Sequence, residues 1–420
     1  MTSRPPTTPR PLDVGIIGAG TAGCASALFL ARAGHRVTVY ERVPEPGPVG
    51  AGIVLQPSGM AALAALGLLA PIAARGAVLH ELHCETPKRR AVVHLEYADL
   101  APDLYGLGLH RGVLFQTLFD AVKAEAGVQL LCGVGIDDLS RAPDGRNVLT
   151  DFETGRAHGP HDLVIVADGA RTERRDDAIL KKTVSRYPWG ALWFVARDDA
   201  HAFTGRLHQI VNGTRRLYGL LPTGLGPSGN VPLVSLFWSI PVKEVPDFRR
   251  RGLEPWKAEL RGYVPAAEPL LEQIQSVDQL LLSEYHDVVM SPWHTADVVY
   301  LGDAAHATSP QLGQGANLAL VDAMVLADSI AAAESLTAAL NNYSAARRSH
   351  LAFYQLATRW LTPLFQSHQT WLGPARDLLM PLLNRIPYFR KQMVLAMCGT
   401  SRGPLRRMLP LRTRPPKLLP

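Results

Sequence analysis

The chain has 420 residues, more than one ordinary core holds and enough for two or three intertwined domains. With 47% hydrophobic and 19% charged residues it reads as globular, and its alanine-rich apolar runs, broken as at Gly67 and Pro71, give no clean membrane span. The net charge of +6 is mild and gathered largely in a C-terminal stretch without interleaved aromatics, which argues against a nucleic-acid partner; four scattered cysteines without a Cys-x-x-Cys pair argue against a disulfide scaffold or metal site and fit a reduced, cytoplasmic protein.

Residues 2–11 are expected to form a loose arm without the apolar core of a secretory signal. The stretch DVGIIGAG is a buried-strand pattern ending in glycines, and TAGCASALFLARAGH has helical spacing that stops at Gly34. With the strand RVTVYE it predicts a parallel βαβ unit. GMAALAALGLLAPI reads as one helix, HELHCETPKRRAVVHLEYADL as two strands of a hairpin, and HRGVLFQTLFDAVKAEAGV as an amphipathic helix. VQLLCGVGIDDLS reads as a strand punctuated by Gly133 and Gly135, and NVLTDFETGRAHGPHDLVIVADGA as a hairpin feeding a strongly apolar strand. Residues 184–289 are rich in aromatics and strand formers, hence a mostly antiparallel sheet with one helix near 255–263. DVVYLGD is another buried strand, followed by the long helix GANLALVDAMVLADSIAAA. Beyond residue 340 the pattern is helical, with Pro363, Pro374, Pro381 and Pro387 expected to cut it into pieces.

The first glycine loop has a chemical logic. Gly18 permits a tight turn, Gly20 lets a pyrophosphate touch the backbone, and Gly23 lets the helix pack on the strand. The helix start, with Ala22, offers free N–H groups and a positive dipole end to phosphate. Glu41 ends the second strand at the spacing where a carboxylate accepts ribose hydroxyls. Arg42 follows it, suited to adenine or to a 2′-phosphate, so this unit alone does not separate NAD from FAD.

Three motifs taken together decide between them. GAGTAG with Glu41, DLVIVADGARTERR and LGDAAHATSPQLGQGANLALVDA, in this order, resemble the class A FAD-dependent aromatic monooxygenases, whose fold is that of p-hydroxybenzoate hydroxylase. PVGAGIVLQPSGMAALAALGLL is similar to the salicylate- and urate-hydroxylase-like members. The fold implied is α/β, a Rossmann-like FAD-binding domain interleaved with a mostly antiparallel β substrate domain, plus C-terminal helices. The FAD-binding parts would be residues 12–80, 105–183 and 290–345, the substrate parts 81–104 and 184–289, and the C-terminal helices and basic tail 346–420. The resemblance also implies roles. Gly18, Gly20 and Gly23 would hold the pyrophosphate, Glu41 the ribose, and Arg111 the phosphates or ribityl chain. Asp168 and Gly169 would serve FAD and the nicotinamide cofactor, with Thr172 in place of the usual serine. Asp303 would accept from ribityl or pyrophosphate-side groups, Pro310, Gly313 and Gly315 would lie against the isoalloxazine, and Ala316 and Asn317 would also belong to the cofactor-binding set. Glycines there allow a flat ring to meet backbone N–H groups at a helix start, whose dipole stabilises negative charge on the reduced ring.

In that class NADH or NADPH reduces FAD, O2 adds to give a C4a-hydroperoxide, and its distal oxygen goes to an electron-rich ring carbon. No list of catalytic side chains is then expected. His208 and Tyr218 are the proton-handling candidates, His306 a local hydrogen bonder, and no metal is implied. Trp189, Trp193, Phe194, Tyr218, Phe237 and Trp238 are candidate pocket walls, of which alternation should turn about half toward the substrate. This apolar character predicts a largely apolar aromatic or polycyclic small molecule as partner. LFWSIP is similar to a halogenase motif, but Leu236 replaces its first tryptophan and no lysine lies between Glu41 and Arg75, so halogenase ranks below hydroxylase. The C-terminal region resembles the quinone-hydroxylase side of the superfamily, which keeps a lipophilic substrate and a peripheral membrane contact by the basic tail in view. A non-catalytic flavin-binding protein, monomer against homodimer, and NADH against NADPH stay open.

Overall fold

The computed structural model describes residues 10–48, 50–175 and 181–403. Most of the expected N-terminal arm and the basic stretch beyond residue 403 lie outside the described residues.

Five apolar segments, nearly continuous in hydrophobicity as strands covered on both faces must be, form a wholly parallel sheet. β1 (Asp13–Ile17) leads through α1 (Thr21–Arg32) to β2 (Arg36–Glu41), the βαβ unit expected from sequence. β3 (Gly52–Leu55) follows, then α2 (Pro57–Ala65) and α3 (Leu69–Ala73). The single helix expected over 59–72 is thus two, because Gly67 sits at φ +67 and reverses the chain between them. β4 (Ala77–Glu85) and β5 (Ala91–Glu96) pair antiparallel, and β6 (Gly106–His110) runs directly into α4 (Arg111–Ala124). β7 (Val128–Cys132) adds to the parallel sheet beside β2. Here the strand expected over 128–140 divides. After the glycines, β8 (Ile136–Arg141) leaves for a small antiparallel sheet with β9 (Asn147–Asp151) and β10 (Ala157–His161). β11 (Leu163–Val166) is buried at every residue and returns to the parallel sheet beside β1.

The aromatic-rich middle of the chain forms β12 (Lys181–Arg197), β13 (Gly205–Asn212), β14 (Arg216–Leu225) and β15 (Pro232–Pro241). α5 (Val245–Arg251), α6 (Glu254–Tyr263) and α7 (Glu268–Leu271) intervene before β16 (Leu281–Ser291). With β3 to β6 these strands make a nine-stranded, mostly antiparallel sheet, so β3 and β6 belong to it although both lie in stretches assigned above to the FAD-binding parts. One face of this sheet packs on α5, α6 and α7 in a core of its own around Trp238, Phe248 and Trp256. β17 (Val298–Tyr300) completes the parallel sheet in the order β17-β11-β1-β2-β7.

A short α8 (Asp303–His306) and the long α9 (Gly315–Ala332) follow. α9 is long and apolar enough to cross a membrane, but it packs against α1, α2 and the next helix inside the main core. α10 (Leu336–Phe365), α11 (Leu372–Arg385) and α12 (Pro387–Met397) close the molecule. Pro363 and Pro381 do not break their helices as expected. Pro363 falls in the last turn of α10, where little helix remains to be lost. α11 is held on either side of Pro381: Arg376 donates to the carbonyls of Gly213 and Leu364, and Asn384 donates to that of His94.

Candidate active site

An open parallel sheet leaves a crevice at the carboxyl ends of its strands where their order reverses. Here β1, β11 and β17 end side by side, and each carries one sequence motif past its last residue. Gly18 follows β1, Ala167-Asp168-Gly169 follows β11, and Leu301-Gly302-Asp303 follows β17. Glu41 at the end of β2 joins them. Its Oε2 accepts from the Ala19 N–H and its Oε1 from the Val43 N–H, each at 2.9 Å. The carboxylate is therefore fixed across the first loop, with lone pairs left for a hydroxyl. Arg42 beside it is exposed.

A cavity of about 740 Å³ lies between this sheet edge and the larger sheet. Gly20, Thr21 and Ala22 line it from the start of α1, and Pro310, Gly313, Gly315 and Ala316 from the start of α9. Neither helix start is capped by a side chain, so free N–H groups and two positive dipole ends meet one space. The glycines sort by what a Cβ would meet. At Gly18 it would fall 2.8 Å from the Ala167 carbonyl oxygen, and at Gly23 1.9 Å from that of Gly18, so these two serve close backbone packing. At Gly20 nothing lies nearer than 4.0 Å, at Gly313 and Gly169 nothing lies within 4 Å, and at Gly315 the Asp303 carboxylate is 3.8 Å away. These glycines leave room for something else. A long cofactor fits that pattern, with a pyrophosphate at one helix start and a flat ring at the other. Arg111 and Asp303 are the charged residues on the wall, among those described.

The sequence profile of the FAD binding domain family matches residues 11–354. A kynurenine 3-monooxygenase of Salinispora arenicola is 30% identical over 80% of this chain and 76% of its own. A probable 2-heptyl-3-hydroxy-4(1H)-quinolone synthase of Rhodococcus erythropolis is 30% identical over 77% of this chain and 81% of its own. Among solved structures, pqsL, a probable FAD-dependent monooxygenase from Pseudomonas aeruginosa, superposes with a TM-score of 0.75 at 25% identity, covering 86% of this chain and 98% of its own. The chain belongs to the FAD-dependent monooxygenase family. The cradle of open glycines is thus where this monooxygenase would hold FAD.

Other residues named from sequence take different places. Asp168 turns away from the cavity to an ion pair with Arg174 at 2.5 Å, and burial pushes its carboxyl above the usual carboxylate range against the pull of that arginine. The hydroxyl of Thr172 accepts from the Arg174 N–H, and Arg175 donates to the carbonyls of Ala170, Thr172 and Ala304, which ties the loop after β11 to α8. Asn317 lies behind the α9 start. Its Oδ1 accepts from the Gln56 N–H at 2.8 Å and its amide donates to the carbonyls of Val54 and Gly313, so it fastens the Gly313 turn to β3.

His208 and Tyr218 do not line the cavity. Leu207 and Gln209 line the cavity, and His208 between them points to the opposite face of β13, bonded to Glu85 at 2.9 Å. Tyr218 is buried on the far side of the sheet, stacked with Trp238. Of the six expected wall aromatics, Trp193 and Phe237 line the cavity, with ring centroids 4.9 Å apart across β12 and β15. Phe194, Tyr218 and Trp238 belong to the second core, and Trp189 packs on His368. In LFWSIP, therefore, Phe237 and Ser239 reach the cavity while Leu236 and Trp238 face away.

Sequence reasoning missed three features. Tyr285, on β16, brings a phenol to the cavity, where burial pushes its pKa up to about 12 and Trp193 Nε1 donates to its oxygen at 3.4 Å. α10, α11 and α12 supply a further wall through Phe353, Trp360, Met380, Phe389 and Met393. Behind the site, Asp322 on α9 is wholly buried and accepts from the Gly302 N–H, His306 Nε2 and Arg347 Nε at 3.0, 2.5 and 2.7 Å. These partners hold its carboxyl well below the usual range although burial opposes them. The cluster locks the loop after β17 to α9 and α10, and removing either ion alone leaves the other buried and unpaired, at a cost of about 3–5 kcal/mol. The sequence signal for His306 was local spacing; nothing in spacing pointed to Arg347.

Proposed function

We propose that this chain hydroxylates an uncharged, largely apolar aromatic or polycyclic small molecule, with NADH or NADPH as reductant and O2 as the oxygen source. The carrying observation is the wall of the substrate end. Leucines, Trp193, Phe237 and Phe353 dominate it, the polar groups there are neutral (Gln209, Ser239, Ser283, Tyr285), and both charged wall residues sit at the cofactor end. A carboxylate-bearing substrate would be left without a partner, which is costly in such a space. The relative that forms a heptyl-quinolone, an apolar ring with an alkyl chain, supports the same substrate class.

FAD, when bound, would supply hydride acceptance and oxygen activation. The chain's own work is positioning. The N–H groups at the α9 start would face the ring and favour negative charge on it. Arg111 and Asp303 would hold the polar part of the cofactor, and Trp193 and Phe237 would lay the substrate flat against it while excluding water. Tyr285 stays protonated at neutral pH, so it serves as a hydrogen-bond donor to a substrate oxygen and not as a base. In this reading residues 12–80, 105–183 and 290–345 carry the cofactor, and 81–104 with 184–289 shape the substrate end. Product mass after turnover under O2 tests the proposal: a gain of one oxygen atom supports it, and bromination in the presence of bromide would replace it with the halogenase reading.

A further inference from the structure

The C-terminal helices show their apolar side to solvent. Of the thirteen large hydrophobic residues exposed among those described, nine fall between Leu356 and Phe389. On α11 and the residue before it, Trp371, Ala375, Leu378 and Leu382 recur at helical spacing on one outward stripe. Leu378 is 62% exposed and Trp360, on α10, 76%. The inward side carries the polar anchors: Arg376 and Asn384 bond to backbone carbonyls of the body, and Arg390 pairs with Asp99 at 2.6 Å. Behind the helices, Val394 and Met397 pack in an apolar core with Met380 and Met393 against it, so the helices are apolar inward and offer hydrocarbon outward as well.

Two further observations say what covers this face. Trp360 and Phe389 are both exposed and part of the cavity wall, so the apolar cavity opens onto the apolar face between α10, α11 and α12. Among the described residues from Leu378 on there is no aspartate or glutamate, while basic residues remain. Arg385 and Lys391, both exposed, flank Ile386, Tyr388 and Phe389. A second copy laid on this face across a two-fold axis would bring like charges together. An anionic bilayer complements both the charge and the hydrocarbon, and tryptophan and tyrosine suit its interface.

We infer that this face docks on an anionic lipid bilayer and that the substrate passes between the bilayer and the cavity through the opening at Trp360 and Phe389. The inference rests on the reading of the cavity as a site for an apolar substrate. Its test is co-sedimentation of the full-length, FAD-loaded protein with vesicles of phosphatidylcholine, with and without phosphatidylglycerol. The expected result is binding to the mixed vesicles that high salt reverses, and about a tenfold loss of partitioning in L378S/L382S. Neither leucine lines the cavity, so the double variant should keep its flavin content and its NAD(P)H oxidation in solution. Wild-type protein left in the supernatant with the mixed vesicles overturns the inference. So does a wild-type dimer that L378S/L382S converts to monomer, which would assign the face to contact between copies. Sedimentation needs no turnover, whereas loss of NAD(P)H oxidation in solution would count against the proposed function alone.

Discussion

Gly20 and Gly23 stand three residues apart in one loop and answer to different neighbours. A side chain at Gly20 enters open cavity, whereas a Cβ at Gly23 runs into the Gly18 carbonyl. Gly20→Val is therefore expected to fold with near wild-type thermal stability but to purify without flavin absorbance, while Gly23→Ala should lower the melting temperature itself, the overpacking costing about 1–3 kcal/mol. A Gly20→Val protein that keeps its flavin would refute the assignment of the first loop. A second residue-scale prediction concerns His350. Arg347 donates to its Nδ1 at 2.5 Å, so the ring is neutral and its Nε2 donates to the Gly399 carbonyl at 2.9 Å. Burial first, and Arg347 next, hold its pKa well below the ordinary value. The unfolded chain then takes up a proton that the folded one refuses, so this contribution is intact above about pH 6.5 and is lost as the pH falls below it. Denaturant titrations between pH 5 and 7 on His350→Gln should show a slope reduced by about one proton; an unchanged slope would contradict the assignment. Asp322 acts in a lower window, since its depressed carboxyl keeps its contribution until the pH falls below the ordinary carboxylate range. The glycine loop could be read in sequence because its residues are neighbours. Asn317 with Gln56 and Arg347 with Asp322 could not, because their pairing is made by the fold across 261 and 25 residues.

At the scale of elements, β12, β14 and β15 show why alternation named the right kind of residue but not the right face. Both sides of these strands are apolar, one toward the cavity and one toward the core under α5 to α7. Period-two reasoning divides the residues without saying which half meets the substrate. The neighbour that settles Phe237 is a glycine. Gly219 lies opposite it on β14, and a Cβ there would fall 1.9 Å from the ring. Gly219→Ala should drive Phe237 toward the cavity, lowering kcat/KM for the substrate by about tenfold with flavin content unchanged. A substrate response equal to wild type would show that this wall does not shape the site. The helices followed the same logic. α1 was legible because its helical spacing and the stop at Gly34 agree, and α4 because its pattern is amphipathic; the division at Gly67 turns on one residue's positive φ, and the persistence of α11 through Pro381 on contacts made by distant residues.

Across the whole molecule, motifs separated by more than a hundred residues converge because β1, β11 and β17 are parallel neighbours ending at one edge. Their order and chemistry were visible in the sequence, and so was the class of enzyme they imply. The third wall was not. The C-terminal helices carried no motif, yet they line the substrate end and open it to an apolar face. The central claim is that a flavin held between two helix starts serves an uncharged, apolar ring. Its most direct test is the rate of flavin reduction by NAD(P)H, measured by stopped flow with matched pairs of aromatic compounds, neutral and carboxylated. The account predicts that neutral polycyclic or alkylated rings accelerate reduction and that their carboxylated counterparts do not. Faster reduction with the carboxylated member of each pair would contradict it.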